Sequence, residues 1–425
     1  MKKKVIIIGA GFAGVQLARN LDSNLFDVLL IDKINHHQFQ PLFYQVATSQ
    51  IEPSSISFPI RYIFHKKRNI EIRLAEVNSI NYESKSIHTS IGDFKYDTLV
   101  IAIGCKTNFF GNKEIEANVF TLKSTYDAIE IRNHILKTFE AIISTEGSEK
   151  EYLQNLVIVG AGATGVELAG AFTEIRKYNL PKDYPNIDFT QFKIVLIEGS
   201  KNTLNNMSEN SKRVSEKYLI QMGVILYKET FVKNYNGLEL ELSSGEIIKT
   251  KSVIWAAGVI GNIINGLPSE TNSVGNRIKV DRNNKVIGIE NVYAIGDIAM
   301  METPLYKRGH PQVANVAINQ AKNLAKNLQA ILTNKSQRDF EYKDLGSMAT
   351  VGRNKAVVDI GKIRISGYFA WLIWMFLHLM LILSVKNKLI IFINWSWAYI
   401  TKNSSLRLIL TPSLKLEKNK KNSIN

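Results

Sequence analysis

A strand running into a glycine turn occurs twice in this chain, and the repetition constrains the fold more than any other feature. The first copy is Val5-Ile6-Ile7-Ile8 followed by Gly9-Ala10-Gly11-Phe12-Ala13-Gly14. The second, about 150 residues later, is Leu156-Val157-Ile158-Val159 followed by Gly160-Ala161-Gly162-Ala163-Thr164-Gly165. Uninterrupted apolar runs of this kind suit strands buried on both faces. The first glycine permits a tight turn, the second lets a pyrophosphate approach the backbone, and the third lets the following helix pack closely, its N-terminus facing the anion. One such turn can arise for packing alone. Two of them point to an α/β chain with two Rossmann-like dinucleotide-binding domains.

Each turn has an acidic residue downstream. Asp32 ends the strand at residues 27–31, at nearly the spacing of about 20 residues at which a carboxylate accepts hydrogen bonds from ribose hydroxyls. Glu198 ends the strand at residues 193–197, at a longer spacing that an insert at residues 178–189, with Pro181 and Pro185, accounts for. A carboxylate there favours NADH over NADPH by repelling a 2′-phosphate, and nearby Lys201 blunts the preference. Residues 96–103 and 253–257 are hydrophobic strands closing at Gly104 and Gly258, and Val292-Tyr293-Ala294-Ile295 runs into Gly296-Asp297. An Asp in that position is either a helix cap or a ligand. Following two nucleotide units, it reads as a flavin contact.

Length and charge place the remainder. A chain of 425 residues exceeds one ordinary core. The formal net charge is +15, and from Lys386 onward there are eight Lys or Arg against one acid, Glu417. An anionic partner surface follows, with nucleic acid and lipid both allowed by charge alone. Residues 368–383 form a sixteen-residue apolar and aromatic run broken only by His378. As a helix it reaches roughly 24 Å, short of a hydrocarbon core of about 30 Å. Lys386, Lys388, Trp395, Trp397, Tyr399, Lys402 and Arg407 flank it as basic and aromatic residues do at a lipid interface. Trp371 and Trp374 with Phe369 and Phe376 put aromatics around most of that helix, so a buried core helix and a span are both weaker readings than a helix pair anchored in one leaflet. The basic tail at residues 415–421 adds attraction to anionic lipid or serves only as a solvated end. Clustering beside the apolar run makes lipid, not nucleic acid, the expected partner. The N-terminal lysines precede a run too short for a signal peptide, which predicts a cytoplasmic N-terminus.

Together these motifs resemble the two-dinucleotide-binding-domain flavoproteins of the pyridine nucleotide-disulfide oxidoreductase superfamily. Within it, Phe39-Gln40-Pro41-Leu42-Phe43-Tyr44-Gln45-Val46-Ala47, residues 160–170 with Val166-Glu167-Leu168-Ala169, and residues 255–259, 348–355 and 367–397 resemble the type II NADH dehydrogenases, single-subunit NADH:quinone oxidoreductases. The resemblance implies FAD in the first unit, NADH as substrate in the second and a membrane quinone as acceptor, in a respiratory chain and without proton pumping. It implies an FAD-binding domain in two parts, residues 1–125 and 272–333, a connecting helix at 126–150, an NADH-binding domain at 151–271 and a membrane-association region at 334–425. FAD contacts are expected from Gly9, Gly11, Phe12, Ala13, Gly14, Asp32, Lys33, Val77, Gly296, Asp297 and Ala314, and NADH contacts from Gly160, Gly162, Gly165, Glu198 and Gly258. A monotopic position on the cytoplasmic face of the inner membrane is implied, and a homodimer is left open.

The family's glutamate at Glu167 lies beside the quinone and nicotinamide; read locally, it is an acid in the first turns of a helix, favoured by the dipole. Lys355 is a further quinone-site candidate. One departure concerns the quinone motif Ala-Gln-x-Ala-x-Gln, whose counterpart here is Ala314-Asn315-Val316-Ala317-Ile318-Asn319. Asparagine keeps the amide on a shorter stem, so Asn315 and Asn319 reach a quinone over longer or water-mediated bonds. Cys105 is the only cysteine, which argues against disulfide reductases and sulfide:quinone reductases, both of which need catalytic cysteines. A reductase using another acceptor such as ferredoxin, and a non-enzymatic DNA-binding flavoprotein, are the competing readings. No metal site is expected.

Overall fold

Alternation along the first strand organises the first of two compact units. In the computed structural model, which describes residues 1–403 and 406–410, Lys3–Ile8 is the central strand of a five-stranded parallel sheet. The strand order is Val292–Ala294, Thr98–Ile101, Lys3–Ile8, Phe26–Asp32 and Ile70–Leu74. Val5, Ile7, Val28, Leu30 and Val100 point to one face, where Leu17 of the helix Phe12–Asn20 and Leu324 and Leu328 of the helix Ala314–Leu332 cover them. Ile6, Ile8, Leu29, Ile31, Leu99 and Ile101 point to the other, against Ile80, Ile87, Ile278 and Val280. A strand buried on both faces cannot alternate polar and apolar residues, hence its unbroken apolar run.

The second unit repeats the plan. Its parallel sheet has the order Phe120–Thr121, Ser252–Trp255, Asn155–Val159, Lys193–Ile197 and Val224–Tyr227. An antiparallel meander, Val232–Tyr235, Glu239–Leu242 and Ile247–Lys249, adds Tyr235, Leu240, Leu242 and Ile248 to the core on one side. A smaller antiparallel sheet, Ser347–Gly352, Lys355–Ile360 and Ile363–Ser366, leads into two helices, Tyr368–Leu381 and Val385–Thr401. Asp359 fastens this sheet: its carboxylate accepts from the Ser208 N–H and from the Ser208 and Ser211 hydroxyls, and it pairs with Arg364.

The boundaries differ from those expected from sequence. The first unit comprises Met1–Gln38, Ser57–Lys106 and Val259–Asp344, and the other described residues cluster in the second. Residues 107–125 leave the expected flavin segment because Phe120–Thr121 pairs with Ser252–Trp255 at the edge of the second sheet. Residues 39–56 leave it because the helix Phe43–Ala47 packs on the helices Thr125–Ser144 and Ala163–Glu174. The C-terminal region is no separate body, since Ser347–Gly352 packs along Ala163–Glu174. Among the described residues no helix is long and apolar enough to cross a membrane. The tail at residues 415–421 lies outside the described residues.

Candidate functional site

The two glycine turns have the same geometry. Gly9 and Gly160 both have φ of +100°, and a Cβ on either would run into the carbonyl of Ala102 or Ala256. A Cβ on Gly14 or Gly165 would overlap the carbonyl oxygen of Gly9 or Gly160, so only glycine lets the helix leave the strand this closely. At Gly11 and Gly162, by contrast, nothing lies within 4 Å of the Cβ position. The space above the middle glycine is therefore open, and the helices Phe12–Asn20 and Ala163–Glu174 begin without a side-chain cap, leaving backbone N–H groups for a phosphate.

The two acids also occupy equivalent places. Asp32 accepts from the Ala10 N–H at 2.6 Å and the Ile34 N–H at 2.9 Å. Glu198 accepts from the Ala161 N–H at 2.7 Å, the Ser200 N–H at 2.8 Å and the Ser200 hydroxyl at 2.7 Å. Each carboxylate is thus tied to the second residue of its glycine turn. The insert before Glu198 is helical: a π-turn, Ile175–Asn179, and a helix, Leu180–Asp183, prolong the helix that carries Glu167.

In the first unit, Gly296 has φ of +75°, and its N–H donates to Gln320 Oε1 at 2.8 Å. The Asp297 carbonyl accepts from the Gln312 amide at 3.2 Å and from the Cys105 thiol at 3.4 Å. Ala314 opens the helix Ala314–Leu332, which also lacks a side-chain cap, and Asn315 and Asn319 lie half-buried near that end. Phe12 meets the His37 ring edge-on, Ala13 is buried, Lys33 is exposed, and Val77 packs against the core beneath the sheet. In the second unit a cleft of about 520 Å³ is lined by Gly160, Gly162, Glu198, Ser200, Phe231 and Gly258 among others. Gly165 lies under that turn as a packing residue.

A second cavity of the same unit, about 100 Å³, collects residues that the sequence reading did not join. Glu167 lines it at 8% exposure, accepting from the Thr350 N–H at 3.5 Å. Burial pushes its carboxyl up to about 8; the Thr350 N–H opposes this, as does the nearby Trp374 indole, which makes no hydrogen bond of good geometry. Near neutral pH Glu167 is a neutral acid, able to give a proton. Glu174 lines the same cavity and is also raised by burial, against the Arg353 N–H and the charges of Arg353 and Lys355. Lys355 itself does not line the cavity, and Asn315 and Asn319 belong to the other unit.

The cavity is walled by the two C-terminal helices and by residues 43–47. Trp374, 1% exposed, stacks on His378 at 4.1 Å and meets Trp395 at 5.8 Å. Burial holds the His378 imidazole down at about 4, so the one polar residue of the run is a neutral inward-facing ring bonded to the Trp374 carbonyl. Gln45 bridges the wall, donating to the Tyr44 hydroxyl at 3.0 Å and accepting from the Trp395 indole at 2.8 Å. The Arg353 guanidinium donates to the Ala398 and Tyr399 carbonyls, capping the helix Val385–Thr401, and lies over the rings of Tyr178 and Tyr399. Aromatics therefore do not surround the first helix uniformly: Trp374 faces in and Trp371 stacks on Tyr399, whereas Phe369 and Phe376 are exposed. Glu174 was the most legible of the missed residues, since it shares a helix face with Glu167.

Two dinucleotide cradles, each with its own acid, and a capped C-terminal helix pair define the class: a flavoprotein-type reductase with two Rossmann units. A family model described as pyridine nucleotide-disulphide oxidoreductase matches residues 3–321, and one described as the NDH2 C-terminal domain matches residues 345–405. The chain is similar to the type II NADH:quinone oxidoreductase Ndh of Mycobacterium tuberculosis, 33% identical over 416 residues, with 94% of this chain and 89% of the relative covered. It is similar to NdhA of the same organism at 30% identity, covering 94% of this chain and 87% of the relative. The solved structure of NDH2 from Plasmodium falciparum in complex with NADH matches with a TM-score of 0.88 at 22% identity, over 97% of this chain and 100% of that one, which shows the fold. The chain belongs to the pyridine nucleotide-disulphide oxidoreductase family and, within it, to the type II NADH:quinone oxidoreductases.

Proposed function

We propose that this chain oxidises NADH and reduces a membrane quinone, with FAD held by the first unit and NADH by the second. The observation that carries the reading is the duplicated cradle: an open middle glycine, an uncapped helix and a tethered acid, present twice. Those residues fit a dinucleotide, because the space, the free backbone donors and the ribose acceptor coincide in each unit. In the first, Gly9, Gly11, Phe12, Ala13 and Gly14 form the phosphate turn and Asp32 with Lys33 the ribose end. Gly296, Asp297 and the uncapped helix start at Ala314 hold the remainder of FAD. In the second, Gly160, Gly162, Glu198 and Gly258 would hold NADH, with Gly165 packed beneath the turn. When bound, FAD would supply the redox chemistry, two-electron transfer between NADH and quinone.

The chain's own contribution is placement and protons. Glu167, kept neutral by burial, gives a proton to the quinone, which enters through the cavity it lines. Lys355 acts on the site through its charge on Glu174. The exposed apolar side chains of the C-terminal helices, including Phe369 at 70% and Ile400 at 77%, support a peripheral, monotopic position on lipid; the cytoplasmic face is the one the family resemblance implies. Anaerobic addition of NADH to the detergent-extracted protein should bleach the flavin absorbance, and a quinone analogue should restore it. Bleaching without restoration would send the search to another acceptor, with Asn315 and Asn319 examined first.

A further inference from the structure

We propose that Glu174 is the relay that reloads Glu167 with protons: a second, half-buried carboxyl on the same wall of the same cavity, more exposed to solvent than Glu167. The proposal rests on the quinone-reductase reading and specifies how that site is resupplied.

Glu167 and Glu174 stand on one face of the helix Ala163–Glu174, about two turns apart. Both are held from one strand and its turn: Thr350 donates its N–H to Glu167, and Arg353 donates its N–H to Glu174. Gly170 lies between them, where a Cβ would strike the Val351 carbonyl, so the helix lies directly against the strand. Ala171, the residue between them on the cavity wall, is too small to separate them. Tyr44, on the facing helix Phe43–Ala47, lies in the field of both: burial raises its hydroxyl first, and Glu167 and Glu174 each add to the rise. The other charged groups acting on Glu174 are Arg353 and Lys355, which favour its carboxylate while burial favours its acid. A group held between opposing influences can both accept and release a proton. Arg353 and the exposed Lys402 also line the cavity.

The stoichiometry requires such a supply. The overall reaction is NADH + H⁺ + quinone → NAD⁺ + quinol: the hydride carries two electrons and one proton, and the second proton comes from solvent. As a quinol O–H bond forms, the Glu167 O–H bond breaks. Two helical turns, about 10 Å, separate the carboxyls, so Glu174 passes its proton to the Glu167 carboxylate through water in the cavity and regains one from solvent.

The test uses the FAD-loaded protein in stopped flow, reduced anaerobically by NADH and reoxidised by a water-soluble short-chain quinone. For Glu174→Gln, flavin reduction by NADH should be unchanged, and reoxidation should slow by about a hundredfold with an enlarged solvent deuterium isotope effect. Formate, a small proton carrier, should restore much of the lost rate. Wild-type reoxidation in the variant, or slowing that formate leaves untouched, overturns the relay. Glu174→Asp keeps the carboxyl where Gln disturbs packing and should recover part of the rate; an Asp variant with the wild-type melting temperature and the Gln variant's rate also overturns it. Wild-type protein that NADH reduces but quinone fails to reoxidise overturns the quinone reading itself, and shows as such before any variant is made.

Discussion

Glu167 illustrates how one side chain acquires a chemistry its residue type does not have in water. An exposed glutamate near a helix N-terminus is stabilised as an anion, whereas this one, enclosed by Thr350 and Trp374, is pushed up to about 8. The folded protein therefore keeps a proton that the unfolded chain has released above its ordinary value of 4.5. The stability from this group is fully present below 4.5 and is lost as pH rises through about 8, because N binds more protons than U across that window. Glu167→Gln removes the titration. The melting temperature of the wild-type protein should fall relative to the variant's over that range, and a constant difference would refute the burial argument. In turnover, the wild-type rate with quinone should decline above about 8 as the donor ionises, and the variant should be slow at every pH while retaining FAD. The position of the glutamate was legible in the motif, but its protonation state was not, since it depends on a strand that follows it by 183 residues.

At the scale of elements, the contact between Ala163–Glu174 and Ser347–Gly352 sets the geometry of both carboxyls. Gly170 has no role in the phosphate turn; its absent side chain is what allows the Val351 carbonyl to approach. Gly170→Ala should force the helix off the strand, costing about 1–3 kcal/mol in urea denaturation and slowing quinone reduction while leaving NADH binding intact. An unchanged urea midpoint would mean the strand yields freely. The strands and glycine turns were readable because a doubly buried strand and a tight turn each permit few residue types. Short elements were less so. The helix Phe43–Ala47 has all five residues buried, and only its tertiary neighbours explain why Gln45 is among them: its amide joins Tyr44 to Trp395.

For the whole molecule, the distribution of apolar surface bears on the proposed lipid contact. Phe369, Phe376, Leu389, Phe392, Ile393, Trp397 and Ile400 are exposed on the two C-terminal helices, whereas Trp374, Ile391 and Trp395 are buried. A protein in water rarely leaves so much apolar area uncovered. Burying one such side chain in lipid contributes up to about 1.5–3 kcal/mol, so replacing several should release the protein. Phe369→Ser with Phe376→Ser and Ile400→Ser should lower co-flotation with phospholipid vesicles and leave reduction of the flavin by NADH unchanged. Retention of vesicle binding would place the lipid contact elsewhere.

By itself the sequence determined the two dinucleotide units, the acid belonging to each and the apolar, basic C-terminal end, because each is a local pattern: one strand, one turn or one run of residues whose type is dictated by neighbours close in the chain. Tertiary structure alone decided that residues 39–56 join the second unit, that Trp374 and His378 face inward while Phe369 faces out, and that Glu167 and Glu174 share a cavity. Those outcomes depend on which distant segments enclose a side chain, and burial, protonation and the partner of a buried amide are set by that enclosure.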